Sequence, residues 1–366
     1  MNKYIWQNPE YPNFTYDKEI ILSLLSEVKL KQGLLIGKMS SIGFERKQKT
    51  VLNILTEDVI KSSEIEGLKL NFEQVRSSIA RKLGLDINDD IYVERYVEGI
   101  VDMTFDAIQN YSQVLTEERL FSWQAAMFPT GRSGLYKIKV GQYRDDAEGA
   151  MQVVSGAIGH EKVHYEAPPA EIITTEMNKL IDYINNETQT DLIIKAGIVH
   201  LWFVINHPFE DGNGRIARVL TDMLLARSED SSNRYYSMSS QIKKNRKSYY
   251  KALEITQGSQ LDITKWLQWF LENLIQAIEN SNEIVSDVLN KSEFWSKNKD
   301  IVMNERQVKM INKLLDDFTG NLTTVKWAKM CKCSQDTATR DITDLMKKGI
   351  LIKQGEARAT HYIIKF

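Results

Sequence analysis

The sequence predicts a mainly α-helical protein with one β-hairpin in its body, followed by a small module of three short helices and two strands. Three patterns predict it. Apolar residues return every three or four positions through most of the first three hundred residues, the period of a helix with one buried face. One stretch, MQVVSGAIGHEKVHYEAPP at 151–169, instead sets β-branched residues on both sides of a Gly-rich middle, which reads as a hairpin ended by Pro168 and Pro169. From residue 304 the helical stretches shorten, and the chain closes on an alternating run around Gly355.

A chain of 366 residues is long for one domain, so two or three are expected, each able to bury its own core. No stretch offers the roughly 18 uninterrupted apolar residues of a membrane helix. The richest run, LIIKAGIVHLWFVIN at 192–206, carries Lys195 and His200 and reads as a buried helix. The start, MNKYIWQNPEYP, has no basic segment leading into an apolar one, so no signal peptide and a cytoplasmic location are expected. The two cysteines, Cys331 and Cys333, form a lone C-x-C, a weak case for zinc and a poor one for a disulfide. The net charge of −2 hides an asymmetry, because residues 301–366 hold 12 Lys and Arg against 7 Asp and Glu. A basic tail of net +5 therefore follows an acidic body of net −7.

Taken in order, 18–35, 91–109 and 261–279 carry clear apolar stripes and read as helices that bury one face against another helix. All six prolines lie in the first 208 residues and mark helix boundaries there. Residues 280–303 are polar and either extend a helix or link two domains. Beyond them, NERQVKMINKLLDDF, TVKWAKMCKC and SQDTATRDITDLMKKG read as three short helices, the third opened by Ser334 and closed by Gly349. ILIKQGEARATHYIIKF then alternates as a two-stranded wing. Three helices and a wing make a winged helix-turn-helix. The expected domains are 1–89, 90–280, a helical linker 281–303, and the winged helix at 304–366.

Residues 207–218 read HPFEDGNGRIAR and concentrate the chemistry. An apolar helix ends at Asn206, Pro208 stops it, and a new helix follows the glycines with Ile216, Val219, Leu220, Met223 and Leu224 as its apolar stripe. Gly212, Asn213 and Gly214 thus form a tight turn at a helix N-terminus, where exposed N–H groups and the helix dipole favour an anion. Arg215 and Arg218, three apart, can fork onto phosphate oxygens. Asp211 supplies the hard oxygen that Mg²⁺ prefers when phosphates complete its shell. His207, with an unperturbed pKa of about 6.5, suits proton abstraction from a hydroxyl. Together they point to phosphoryl or nucleotidyl transfer. The plainer alternative is a common D-G-N-G turn before a helix with two surface arginines. A calcium loop is disfavoured because Arg215 falls where an EF-hand needs an oxygen ligand.

HPFEDGNGRIAR resembles the signature of the Fic family, His-Pro-Phe-x-Asp/Glu-Gly-Asn-Gly-Arg-x-x-Arg, at every specified position. A chance match to eight fixed residues and one two-way choice in a chain this long is on the order of 10⁻⁹. The resemblance extends over about 90–280. GQYR at 141–144 and the hairpin ending VHYEAPP look like the family's flap, and YYKALEITQG at 249–258 with DITKWLQWFL looks like its nucleotide-side helices. The aromatic start, with Tyr4, Trp6, Tyr11, Phe14 and Tyr16, resembles an N-terminal extension of some members. The resemblance implies a Fic helical bundle with a β-hairpin flap, and transfer of AMP from ATP, with Mg²⁺, to a Ser, Thr or Tyr hydroxyl of a target protein, releasing pyrophosphate. It makes His207 the base and Asp211 the metal ligand. Gly212, Asn213, Gly214 and Arg215 would then hold the α- and β-phosphates, Arg218 the γ-phosphate, and Tyr249, Tyr250 and Gln257 the nucleoside. The flap at 151–165 would hold the target chain by strand addition.

A second stretch, SSEIEGLKL at 62–70, sets Ser62 and Glu66 four apart on one helix face with Gly67 just past the end. A glycine helix stop with two solvated side chains explains it on spacing alone. It is also similar to the family's inhibitory motif, Ser/Thr-x-x-x-Glu-Gly/Asn, which implies that Glu66 pairs with Arg218 and denies it to the γ-phosphate. In some relatives the same site removes AMP, so de-AMPylation is a further expectation. The tail admits DNA, with Ser334–Leu345 in the major groove and Thr337, Thr339 and Arg340 facing bases, or a protein partner or second copy. Asp336, Asp341 and Asp344 on that helix oppose DNA. The alternatives to an autoinhibited AMP transferase are a DNA-binding regulator with the Fic core as nucleotide sensor, and a kinase or phosphocholine transferase.

Overall fold

The computed structural model describes residues 3–85, 91–147, 149–155, 162–315, 318, 320–356 and 360–365, apart from the side chains of 283, 284, 286–290 and 292. The chain divides into two compact units, Met1–Ser281 and Asn282–Phe366. No helix among the described residues is long and apolar enough to cross a membrane.

The first unit is built on two buried helices, α7 (Leu192–Asn206) and α8 (Asn213–Glu229), packed against each other. All of α7 from Ile193 to Asn206 is buried, as its near-continuous apolar sequence requires. α8 differs from the one-sided stripe its sequence suggested. Its buried residues include Asn213, Arg215, Arg218, Thr221 and Asp222 as well as Ile216, Val219, Leu220, Met223 and Leu224, so it is enclosed on every side.

The helices around this pair are α1 (Lys18–Ser40), α2 (Phe44–Ile65), α3 (Phe72–Lys82), α4 (Arg95–Gln109), α5 (Glu117–Met127) and α6 (Ala170–Asn186), then α9 (Met238–Lys244), α10 (Arg246–Gln257) and α11 (Thr264–Lys297). Side-chain caps set several starts. Asp17 accepts from Glu19 N and Ile20 N at α1, and Thr116 from Arg119 N at α5. The helix expected from 91 begins at Arg95, and the one expected from 261 begins at Thr264, where Asp262 accepts the Thr264 N–H. Two short hairpins precede α6: β1 (Arg132–Ser133) with β2 (Tyr136–Lys137), and β3 (Gln152–Ser155) with β4 (Lys162–Glu166), antiparallel with a bulge at Val153/Val154. The tip of the second, 156–161, lies outside the described residues. Tyr165 anchors that hairpin by donating to Ile205 O on α7, and Trp6 donates to Glu166 O.

The polar stretch after 280 continues α11 as helix to Lys297, and Phe294 joins the core of the second unit, so 281–303 is not merely a connector. That core gathers Met310, Ile311, Leu322, Trp327, Ile342 and Leu345 from α12 (Glu305–Leu315), α13 (Thr324–Cys331), α14 (Gln335–Lys347) and the segment between. β5 (Leu351–Gln354) pairs antiparallel with β6 (His361–Ile364), from Leu351↔Ile364 to Gln354↔His361. Ser334 caps α14 by accepting from Thr337 N, and Gly349, at φ 74, follows its C-cap Lys348. Two of the acids that oppose DNA on α14 are engaged within the unit. Asp341 is buried and accepts from Arg306 Nε at 2.8 Å and Asn304 Nδ2 at 2.9 Å, while Asp344 accepts from Gln307 and Lys348. Cys331 and Cys333 are free thiols at the edge of the core.

Candidate active site

α7 ends where its last N–H, that of His207, donates to Phe203 O at 3.0 Å. His207 then takes the left-handed conformation, φ 46 and ψ 56, uncommon for a residue with a side chain. Pro208 and Phe209 are buried, Phe209 among Phe121, Tyr143 and Phe203. The turn is closed by Asn213, whose amide accepts from Phe209 N at 2.9 Å and donates to Phe209 O at 2.7 Å. The side chain of Asn213 is therefore consumed in bracing the loop, leaving its backbone N–H for an anion. Gly212 sits at φ +92, and a Cβ there would lie 2.7 Å from Met127 Cε.

Both signature arginines are buried, 3% and 2% exposed, which removes the reading of them as surface residues. Arg215 lies over the Phe128 ring at 5.1 Å, and Arg215 Nε has no partner. Arg218 reaches α2. Its Nε donates to Ser62 Oγ at 2.9 Å, and its Nη2 donates to Ser62 O at 2.9 Å and Glu66 Oε1 at 2.7 Å, while its Nη1 has no partner. Burial is the largest influence on the Arg218 pKa and lowers it, but the Glu66 carboxylate beside it, together with Tyr249 and Tyr250, raises it overall. The carboxylate fills the space above Gly214, where an added Cβ would stand 2.2 Å from Glu66 Oε1. An internal carboxylate thus occupies the mouth of the helix N-terminus.

His207 stands at the other side of the turn, partly exposed yet densely surrounded, and desolvation pushes its pKa down to about 4. The imidazole is neutral at pH 7, and its Nδ1 has no partner. Asp211 accepts from Gly212 N at 2.5 Å and from the Ser133 hydroxyl, presented by the β1–β2 hairpin. Its side chain remains two-fifths exposed. No cluster of three or more His, Cys, Asp or Glu able to hold a metal occurs among the described residues, so a protein-only cage is absent from them. One half-exposed carboxylate beside an anion site suits Mg²⁺ completed by substrate phosphates and water.

The three residues expected at the nucleoside divide. Tyr249 is buried, and its hydroxyl shares a hydrogen bond with His200 Nε2 at 2.9 Å, while His200 Nδ1 meets Thr221 Oγ1 at 2.9 Å. Burial holds the His200 pKa near 3, so it is a neutral strut between α7, α8 and α10. Tyr249 is thereby committed to the wall behind Arg218 and offers no open face. Gln257 is also buried, at the end of α10. Tyr250, 37% exposed and beneath the Arg246 guanidinium, is the one that presents surface.

Arg144 entered the sequence reading only as the last residue of the flap-like GQYR, with no role of its own. Its side chain is fully buried and donates to His207 O at 2.8 Å, Pro168 O at 2.5 Å and Asn206 O at 3.5 Å, while pairing with Asp146 at 2.8 Å. Its backbone N–H donates to Pro208 O. One residue thus ties the end of the β3–β4 hairpin to the strained His207 turn. The local signals were its place in GQYR at 141–144, which resembles the flap, and the two aspartates that follow it.

Residues 114–225, which contain this site, match the family model described as the Fic/DOC family, and residues 4–85 match one described as a domain of unknown function, DUF4172. A probable protein adenylyltransferase of Aquifex aeolicus is 26% identical over 175 residues, 48% of this chain and 49% of that protein. A protein adenylyltransferase of Caenorhabditis elegans, fic-1, is 38% identical over 60 residues, 16% of this chain and 12% of that one. The chain therefore spans half or less of the length of these curated relatives. Among solved structures, a Fic family protein from Desulfovibrio desulfuricans aligns with a TM-score of 0.55 at 19% identity, covering 97% of this chain and 98% of that chain. Residues 114–225 form a Fic/DOC family domain, and the fold is that of Fic proteins.

Proposed function

We propose that the protein transfers AMP from ATP to a hydroxyl of a target protein, and that Glu66 restrains the reaction at rest. What carries this is the pair of buried arginines with unpartnered N–H groups at the N-terminus of α8, set beside a neutral histidine. In the reaction, the hydroxyl oxygen forms a bond to the α-phosphorus while the bond to the bridging oxygen breaks and pyrophosphate leaves. His207 takes the hydroxyl proton, for which a neutral imidazole is required. The free N–H groups of the α8 first turn, with Arg215, hold the phosphates nearest the reacting atom. Arg218 holds the terminal phosphate once Glu66 yields. Asp211 would hold Mg²⁺, which would neutralise phosphate charge.

The names of the relatives support nucleotidyl transfer, and the Glu66–Arg218 pair supports autoinhibition through Ser62 and Glu66. We read the β3–β4 hairpin as the target-docking flap and the second unit as a winged helix-turn-helix, supported by its three helices and β5–β6 pair. The test is to incubate the Glu66→Gly protein with Mg²⁺ and either α-labelled or γ-labelled ATP. Label retained on protein from the α position alone is the expected result. Label from the γ position alone makes the enzyme a kinase and overturns the proposal.

A further inference from the structure

α2 meets α8 through a ladder of polar side chains, of which Ser62 and Glu66 are two rungs. Asp58, Ser62 and Glu66 stand four apart on one face of α2, and Asp222, Arg218 and Gly214 stand four apart on α8. Glu66 lies over Gly214 and pairs with Arg218, Ser62 accepts from Arg218, and Asp58 shares a hydrogen bond with Asp222. Both carboxyls of this last rung are buried. Asp58 also grips the start of α9. Its Oδ1 accepts from Ser237 Oγ at 2.5 Å and Ser239 N at 3.3 Å, and its Oδ2 accepts from Ser239 Oγ at 3.2 Å.

Arg234 donates to Asp222 at 3.3 Å and to Glu229 at 3.4 Å, so three buried carboxyls surround one guanidinium. Glu229 also accepts from the Tyr236 hydroxyl and from Gln32 Nε2 of α1. Charged groups on the neighbouring elements are engaged elsewhere: Lys243 of α9 with Glu64, Asp106 of α4 with Arg119, and Arg76 of α3 with Asn53. Two carboxyls hydrogen-bond only with a proton between them, and the donors around Asp58 favour its charged form, so the proton falls to Asp222. Burial first, and the Asp58 carboxylate second, raise the Asp222 pKa well above the usual carboxylate range, against the pull of Arg234.

We propose that Asp58 and Asp222 are positioning residues that dock the restraining end of α2 through one shared proton, whose loss as pH rises frees Arg218 from Glu66. This rests on the restraint proposed above. Releasing α2 separates the two carboxyls, and Asp222 then moves toward the ordinary aspartate value of about 3.9. The docked helix is therefore favoured below the raised value and loses that advantage as pH climbs through it, when like charges face each other in a dry site.

The test is hydrogen exchange of the full chain from about pH 5 to about pH 9, corrected for the intrinsic pH dependence of exchange. Protection of residues 58–66 is expected to fall at least tenfold across that span, while residues 192–206 of α7 hold theirs. Asp222→Asn and Asp58→Asn each keep a hydrogen bond across the rung with no proton to lose, so either should make the protection independent of pH. A merely structural rung would instead lower protection at every pH. Wild-type protection that ignores pH overturns the proposal, as does a fall that persists in both variants or is shared by α7. The ratio of Glu66→Gly to wild-type rates should shrink toward one over the same span, and a constant ratio beside falling protection overturns the link to Glu66. A Glu66→Gly protein no faster than wild type at any pH refutes the restraint itself, which the exchange measurement does not assume.

Discussion

Replacing Glu66 by glycine isolates the restraint. Glu66 is the C-cap of α2, at φ −84 and ψ 6, so glycine fits there without strain. The substitution removes one charge-assisted hydrogen bond to a buried guanidinium, an interaction of about 1.5–3 kcal/mol. Arg218 is not abandoned, because Ser62 Oγ and Ser62 O still accept from it at 2.9 Å. The difference therefore goes into the population able to seat a terminal phosphate, a gain of roughly 10- to 150-fold. The assay is the initial rate of pyrophosphate release at saturating ATP and Mg²⁺, with a thermal melt to verify that α2 stays docked. Glu66→Gln keeps the size and an acceptor but no charge, and should fall between wild type and Glu66→Gly. A Glu66→Gly rate within about twofold of wild type, on an intact fold, refutes the reasoning.

Other perturbations follow from the same contacts. Ser62→Ala removes the partner of Arg218 Nε but leaves Glu66, so its activation should be smaller, about 5-fold from a hydrogen bond of ~1 kcal/mol, read in the same assay. Gly214→Ala in the Glu66→Gly background should abolish turnover, because its methyl fills the space vacated by Glu66 Oε1; retained activity would show that the terminal anion lies elsewhere. In Glu66→Gly, the rate should be flat above about pH 5 and fall only as pH drops toward the His207 pKa of about 4, since a base must be neutral to act. An acid limb near pH 6.5 would mean that the bound site is as wet as bulk water. Arg144→Gln should lower kcat at least tenfold and move that limb upward, because it frees the His207 carbonyl and removes a cation that depresses the imidazole pKa. Arg144→Lys should restore part of both.

What the sequence disclosed follows from how local each contact is. His207 to Arg218 occupy one turn and one helical start, so their spacing already placed them together. Ser62 and Glu66 were legible as one face, although their partner lies more than 150 positions away. Arg144 was not, because its bonds go to backbone carbonyls of 168, 206 and 207, which no side-chain pattern marks. α8 read as one-sided because Asn213, Arg215, Arg218 and Asp222 are polar, yet each is buried at the site or against a partner. Tyr249 looked available until its hydroxyl was found on His200. Asp341, which read as an acid opposing DNA, is held inside the second unit by Arg306 and Asn304, partners on another helix and its start that no local spacing marks.

The most direct measurement is transfer of α-labelled ATP to protein by four proteins side by side: wild type, Glu66→Gly, His207→Ala, and the double variant. Nucleotidyl transfer by His207 under a Glu66 restraint predicts faint label on wild type, strong label on Glu66→Gly, and none on either protein lacking His207. Equal label on Glu66→Gly and on the double variant would contradict it, since the proton would then leave without the imidazole.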